Sequence, residues 1–354
     1  MPPATSLEPA APAKVPAINR VGLPLTAYRG ATSTLCSGCG HDAITNMIVR
    51  AAFELNLEPT QVTKLSGIGC SSKTAAYFIS QAHGFNGVHG RMAAIATGVN
   101  LANRTLTNIG VSGDGDTASI GLGQFLHMVR RNVRVCYVIE NNGVYGLTKG
   151  QFSATADKGS ALKRGEVNEM DPIDACALAI EMGCEYVARS FSGDQKQLLN
   201  LLKGAMRFDG TALVDVVSPC ITFNNHEGST KSYKFAKERE EALHDVTYVP
   251  YYEPFFADYG HGEKHTVSLP DGARVVLKKL DRDYDPSDRV RSLELLSRAR
   301  DEKLFLTGLI YHRKGGPKSL ARQKNLVEEP LSMLPQSRTR PRREILEEIL
   351  DSIA

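Results

Sequence analysis

No stretch of the 354 residues is apolar for long enough to cross a bilayer. The longest apolar runs, such as 135–139, fall far short. The first twenty residues also lack the basic cluster and apolar core of a secretory signal. Neither sign of charge dominates: 42 Lys and Arg against 39 Asp and Glu leave a net charge of +3. That balance carries no footprint for a polyanion, so neither nucleic acid nor a membrane is an expected partner. Internal repeats are missing too. The seven cysteines are odd in number, which argues against a fully paired disulfide framework. A soluble, cytoplasmic protein is expected, in which grouped cysteines act as metal ligands or reactive thiols. At 42% apolar and 23% charged residues, the chain suits two domains, or one large domain with extensions.

What is present is alternation. Residues 1–25 are rich in Pro and Ala without periodicity and read as a disordered arm. From there to about 260, short apolar runs (62–67, 107–112, 133–139, 186–189, 212–217) alternate with amphipathic stretches. Those stretches cover 42–55, 92–104, 121–131, 172–182 and 194–208. This is the rhythm of βαβ units. It predicts an α/β domain over 26–260 with a mostly parallel, doubly wound sheet, whose ligands gather at the carboxyl ends of the strands. Residues 261–354 lose the rhythm and read as an irregular extension, with one short strand at 273–277. The extension ends in an amphipathic helix striped with Ile345, Leu346, Ile349, Leu350 and Ile353. That helix reads either as a solvated terminus or as a partner-docking segment.

The sequence Gly113-Asp114-Gly115-Asp116 begins where one predicted strand stops. Glycines there let backbone N–H groups approach a bulky anion, and an aspartate offers a hard oxygen to a divalent cation. Alone, the pattern suits an ordinary turn equally well. Asn142, however, ends the next strand within Glu140-Asn141-Asn142-Gly143. Two strand-end loops separated by one helix bring a carboxylate and an amide oxygen to one crevice. Mg²⁺ accepts few protein ligands and completes its octahedron with phosphate oxygens and water. The pairing resembles the thiamine diphosphate signature. That likeness makes Asp114, Asn142 and the Val144 carbonyl the Mg²⁺ ligands, with Gly113, Gly115 and Asp116 along the diphosphate.

Cys36 and Cys39 form a Cys-x-x-Cys pair, while Cys70 and Cys220 each follow a predicted strand end. Four thiolates from separate loops suit one [4Fe–4S] cluster, with zinc as the competing occupant. Cys136, Cys176 and Cys184 fall in apolar runs or an amphipathic helix and read as small buried hydrophobes.

Together, CSGCGH (36–41), GIGCSSK (67–73), HGR (89–91), GDGD (113–116), ENNGVYGLTKGQ (140–151) and SPC (218–220) resemble one family. It is the beta subunit of the 2-oxoacid:ferredoxin oxidoreductases. YGLTKGQFSATADKGS and TFNNHEGSTKSY bring the chain nearest the 2-oxoglutarate type, and the likeness spans about residues 20–260. It implies coenzyme A-dependent oxidative decarboxylation of a 2-oxoacid, with electrons leaving one at a time through the cluster to ferredoxin. The same site run backwards would be a reductive carboxylase. It implies Cys36, Cys39, Cys70 and Cys220 as cluster ligands. An alpha subunit would supply the other half of the cofactor site, in a hetero-oligomer.

Around the cofactor the resemblance adds Ser71, Gly90, Gly146, Leu147 and Thr148. His41, His89 and Arg91 stand at loop-to-helix junctions, where they would meet phosphate or the oxoacid head; helix capping is the plainer role. Lys73 would face the cluster and the substrate carboxylate, or be a surface lysine. Lys149 would meet a second substrate carboxylate, as in 2-oxoglutarate. Three alternatives stay open: a pyruvate- or branched-chain-specific member of the family, a thiamine-dependent decarboxylase or synthase half with zinc, and a metal-stapled binding module.

Overall fold

The computed structural model describes residues 18–162, 165–226, 229–249, 264–269, 274–279, 284–313 and 318–353. Most of the arm expected at 1–25 lies outside them. At 18–25 the chain is tied down, because the Asn19 amide donates to the Tyr28 hydroxyl at 2.8 Å.

Strands β1 (Val62–Ser66), β2 (His83–Asn86), β3 (Thr107–Gly113) and β4 (Val135–Asn141) begin the main sheet. A small hairpin, β5 (Val144–Tyr145) and β6 (Gln151–Phe152), follows β4. Next come β7 (Tyr186–Phe191), β8 (Thr211–Val217) and β9 (Glu240–Ala242). A three-stranded antiparallel sheet is made by β10 (His244–Val249), β11 (Lys264–Ser268) and β12 (Arg274–Lys279), and β13 (Phe305–His312) comes last. The main sheet has the order β2-β1-β3-β4-β8-β7-β13-β9. Its first six strands run parallel. Every residue of β1, β4 and β8 is buried, as helices on both faces require.

One face is covered by α1 (Gly40–Glu54) and α6 (Gln195–Arg207), through Ile44, Ile48, Leu198, Leu201 and Leu202. The other face carries α3 (Met92–Ala102), α4 (Leu122–Arg130), α5 (Ala175–Glu181) and α8 (Arg289–Asp301), through Met92, Phe125, Met128, Ile180 and Leu296. Asp174 and Asp194 cap α5 and α6, each carboxylate accepting from N–H groups of the first turn. Cys136, Cys176 and Cys184 are buried in this core, as expected of small hydrophobes.

The tail differs from the irregular extension expected over 261–354. All eight residues of β13 are buried, and the strand pairs antiparallel with β7, inside the main sheet. α8 packs Leu295, Leu296 and Ala299 beneath it. Two features hid this region from the sequence. An antiparallel strand breaks the βαβ rhythm, and Gly308, at φ +118°, precedes a register shift between Leu309 and Tyr311. In α8, four arginines mask a narrow apolar stripe. The expected strand at 273–277 and the terminal helix are both present, as β12 and Arg343–Ile353.

β1 is followed in sequence by β2 on one side, whereas β3 lies on its other side and is followed by β4. The chain therefore changes direction between β1 and β3. The crevice beyond such a reversal is where open α/β sheets bind ligands.

Candidate active site

The loops after β1, β3 and β4 meet at that crevice. The chain leaves β3 at Gly113 and enters a wide π-helical turn, Gly115–Ile120. A side chain at Gly113 would come within 2.9 Å of the Ser71 hydroxyl, and one at Gly115 within 2.5 Å of the Tyr145 ring. Both positions thus need glycine for close approach. Asp114 is buried, with 1% of its surface exposed. Its carboxylate accepts from the Ser153 hydroxyl, from Thr155 Oγ1 at 2.6 Å and from the Asn142 N–H at 3.3 Å. Burial raises its pKa and these donors oppose the rise. Among the described residues no lysine or arginine pairs with it.

Asn142 faces the same crevice. Gly143, at φ +73°, turns the chain so that the Val144 N–H donates to Asn142 Oδ1 at 3.1 Å. Asn142 Nδ2 lies 3.5 Å from His41 Nε2, and the His41 Nδ1 lies 2.6 Å from the Ser218 hydroxyl. Burial pushes the His41 pKa down to about 4, so the ring is neutral near pH 7. Neutral His41 accepts from Asn142 Nδ2 when Nδ1–H donates to Ser218. That tautomer turns Asn142 Oδ1 away from the histidine and toward the loop.

Asp116 also lines the crevice but spends its oxygens on scaffolding. It accepts from the Gly90 N–H at 2.7 Å, the Ile68 N–H at 3.3 Å and the Ser112 hydroxyl at 2.7 Å, and it contacts His89. One carboxylate thereby ties together the loops after β1, β2 and β3.

The cysteines adjoin this crevice. Cys39 precedes α1 and Cys70 opens α2 (Cys70–Thr74). A side-chain carbon at Gly146 would lie 3.5 Å from Cys70 Sγ and 3.9 Å from Cys220 Sγ, so both sulfurs flank one glycine of the loop after β5. Thr222, two residues beyond Cys220, donates its hydroxyl to Cys36 Sγ at 3.7 Å. Burial pushes the Cys39 thiol up to about 12, with Glu140 and Cys220 adding to it. Burial also raises Cys70, and both Cys220 and Cys36 raise it further. The four thiols therefore share one electrostatic neighbourhood. Among the described residues no three His, Cys, Asp or Glu side chains form a ready-made site for a metal ion.

Most residues anticipated for cofactor binding line one crevice: His41, Ser71, His89, the 113–116 turn, Asn142, Val144 and 146–148. Gly90 sits just behind, at φ +73°. Three anticipated catalytic residues do not line it. Lys73 Nζ donates to the Thr34 carbonyl at 3.3 Å. Arg91 is exposed beside α3. Lys149, at φ +78°, is exposed on the hairpin between β5 and β6.

Sequence reasoning missed Glu140, Tyr145, Ser153 and Thr155. Glu140 is fully buried on the crevice wall, and neither carboxyl oxygen makes a hydrogen bond of ordinary length. Burial holds its pKa well above the ordinary carboxyl value. The acid at the end of an otherwise apolar strand was the available signal.

Comparison with known proteins bears on this geometry. A family model described as "Thiamine pyrophosphate enzyme, C-terminal TPP binding domain" matches residues 67–216. The beta subunit of 2-oxoacid:ferredoxin oxidoreductase 1 from Aeropyrum pernix is 41% identical over 233 residues, covering 66% of this chain and 70% of that one. The 2-oxoglutarate oxidoreductase subunit KorB of Mycobacterium tuberculosis is 38% identical over 205 residues, 58% of this chain and 54% of that one. The match thus spans little more than half of the mycobacterial protein. A solved structure of 2-oxoglutarate:ferredoxin oxidoreductase from Magnetococcus marinus, with 2-oxoglutarate, coenzyme A and succinyl-CoA bound, superposes with a TM-score of 0.71. It is 28% identical and covers 94% of this chain and 96% of that one. With the Asp114 and Asn142 loops inside the matched domain, the chain belongs to the beta subunits of the 2-oxoacid:ferredoxin oxidoreductases, a family of thiamine diphosphate-dependent oxidoreductases.

Proposed function

We propose that this chain holds Mg²⁺ and the diphosphate of thiamine diphosphate in the crevice, and one [4Fe–4S] cluster on Cys36, Cys39, Cys70 and Cys220. With an alpha subunit it would convert a 2-oxoacid and coenzyme A to an acyl-CoA and CO₂, passing electrons to ferredoxin. The observation that carries the reading is Asp114: a buried carboxylate among oxygen donors, unpaired by any cation of the described chain. The donor set fits magnesium. Asp114 and Asn142 offer hard side-chain oxygens, the Val144 carbonyl is a third, and phosphate oxygens would complete the shell.

Bound there, thiamine diphosphate supplies the electron sink for decarboxylation. The chain's own residues position and enclose. Ser153 and Thr155 orient Asp114 by hydrogen bonds to its carboxylate. His41 orients the Asn142 amide. Glycines 113 and 115 hold the turn close against Ser71 and Tyr145. Loading the thiols requires their deprotonation, so cluster assembly in this buried setting releases protons. The likeness to 2-oxoglutarate enzymes in sequence and structure supports 2-oxoglutarate as the substrate.

The test is anaerobic purification with the alpha subunit, then iron, acid-labile sulfide and zinc analysis, then a substrate panel with a viologen acceptor. About four irons and four sulfides per chain are expected. They should be lost in Cys220→Ser and kept in Cys136→Ser. Zinc in place of iron, or no 2-oxoacid-dependent viologen reduction, overturns the reading.

A further inference from the structure

The amino ends of β3 and β4 border a second cavity, at the opposite edge of the sheet from the Asp114 crevice. It measures about 300 Å³ and lies between the C-terminal ends of α3 and α6 and the tail segment 319–328. Strand β3 has seven residues, so about 20 Å of sheet separates cavity from crevice. The tail is fastened there by its backbone. The Leu320 N–H donates to the Asn132 carbonyl at 3.1 Å, and the Leu326 carbonyl accepts from Arg104 Nη1 at 2.7 Å.

One wall holds an unfinished polar group. Asn100 is fully buried on α3 and lines the cavity. Among the described residues neither its amide oxygen nor its amide nitrogen has a hydrogen-bond partner. A buried amide without partners is unfavourable and rare, so its place beside a cavity points to a ligand.

The surrounding charge is one-sided. Arg104, Arg134, Arg207 and Arg322 face Asp209 and Glu328, an excess of two positive charges. Arg322 Nη2 pairs with Asp209 at 2.9 Å, and Arg104 lies 3.6 Å from a Glu328 that is 86% exposed. Arg134 and Arg207 donate to backbone carbonyls, of Arg104 at 3.5 Å and Leu55 at 3.0 Å. Holding the carbonyls at the end of α1 accounts for Arg207. It does not account for the idle Asn100 amide.

A dianion matches the charge, and guanidinium forks suit phosphate oxygens. A hydroxyl matches Asn100, because it can donate to Oδ1 and accept from Nδ2. The volume stands at the lower end of ligand pockets and suits a small molecule rather than a dinucleotide or coenzyme A. We propose that this cavity binds a small phosphate monoester bearing a hydroxyl group, with the phosphate on Arg134, Arg207 and Arg322 and the hydroxyl on Asn100. The proposal stands apart from the cofactor reading, since the two sites share no residue.

The test is calorimetry on the full-length chain assembled with its partner subunit, with excess thiamine diphosphate present. Glycerol 3-phosphate is the probe. It should bind saturably, at least about tenfold tighter than inorganic phosphate or succinate, and glycerol should not bind. Arg134→Gln and Arg322→Ala should each weaken it by at least about tenfold. Arg322 is 57% exposed, so its variant keeps the test open if the other fails to fold. Asn100→Leu should weaken binding about tenfold while the ligand-free assembly melts no lower, because an unpartnered amide has been removed. Asp114→Asn should leave binding unchanged. Absence of saturable binding overturns the proposal, as does inorganic phosphate or succinate binding equally well. So does binding lost in Asp114→Asn but kept in the arginine variants, which would put the probe in the crevice. An Asn100→Leu variant that binds normally and melts lower would make Asn100 structural and overturn it too.

Discussion

Two buried polar centres lie along the carboxyl edge of the sheet, and they are built differently. Over β7 and β8, Arg189 sits between two carboxylates, with Nε 2.8 Å from Asp215 and Nη2 2.8 Å from Asp174. Asp174 also caps α5. Burial alone would raise its pKa, yet Arg189 and the capping N–H groups hold it below the ordinary value. Beyond β3 and β4, Asp114 has hydroxyl and N–H donors but no cation, and its pKa is raised. Glu140 beside it makes no hydrogen bond of ordinary length, and its Oε2 lies 3.6 Å from Nδ1 of the neutral His41 ring. The first centre is electrostatically complete and serves the fold. The second has no such cation among the described residues. Volume points the other way: the cavity beside Arg189 measures about 930 Å³, the Asp114 crevice about 70 Å³. Unfinished electrostatics, rather than size, separates site from scaffold.

The contrast breaks if the two centres respond alike to substitution. The largest effect is expected for Asp114→Asn. Residues that merely orient a metal ligand contribute about 10–100-fold to affinity, so losing the ligand should weaken Mg²⁺–thiamine diphosphate binding by more than about 100-fold in calorimetry. The cofactor-free chain should melt no lower than the parent, because a buried charge without a cation has been removed. A lower melting point with binding intact would make Asp114 structural.

Arg189→Met should do the reverse. It leaves the buried Asp215 and the partly buried Asp174 without their cation and should destabilise the fold by about 3 kcal/mol in urea titration. The pH dependence should weaken or reverse. In the parent, the depressed Asp174 pKa contributes stability above the unfolded carboxyl value of about 3.9 that is lost as pH falls through the folded value. In the variant, burial is opposed only by the capping N–H groups, the folded pKa rises relative to the parent, and stability should be lost less steeply, or recover, on acidification from pH 7 toward pH 5. Urea midpoints at the two pH values check this.

A smaller effect sharpens the assignment of Asp114. Thr155→Val removes one donor to its carboxylate and should weaken cofactor binding about 10–100-fold, without the stability loss of Arg189→Met. The smallest effect is expected at Lys149. Because it is exposed and off the crevice wall, Lys149→Ala should lower kcat/KM for 2-oxoglutarate by less than about tenfold, and more than for pyruvate. Equal loss for both substrates removes Lys149 from selectivity.

Much of this organisation was legible in the residues. The five apolar runs and five amphipathic stretches of 26–260 became strands and helices within a few residues of their expected ends. Periodicity reports burial directly when strands are covered on both faces. That the loops carrying Gly113-Asp114-Gly115 and Asn142 would meet at one crevice was equally legible, because both are short motifs tied to strand ends. The tail was not. β13 joins the sheet through β7, more than a hundred residues away in sequence, and its antiparallel direction leaves no local sign. Glu140 and Thr155 were missed for a related reason. A glutamate ending a strand, or a threonine in a polar loop, shows its purpose only through the atoms around it.

The sequence by itself determined the alternation of elements, the strand-end motifs and the separation of four grouped cysteines from three buried ones. These follow from local spacing and burial preference. Only the tertiary structure decided which carboxylates have a cation and which do not. Asp114, Asp116, Asp174 and Asp215 are the same residue type, set in a strand, in strand-end turns or at a helix cap, and nothing local tells them apart. Their pairing depends on distances between chain segments far apart in sequence, and over a few ångströms in a buried setting those distances govern charge.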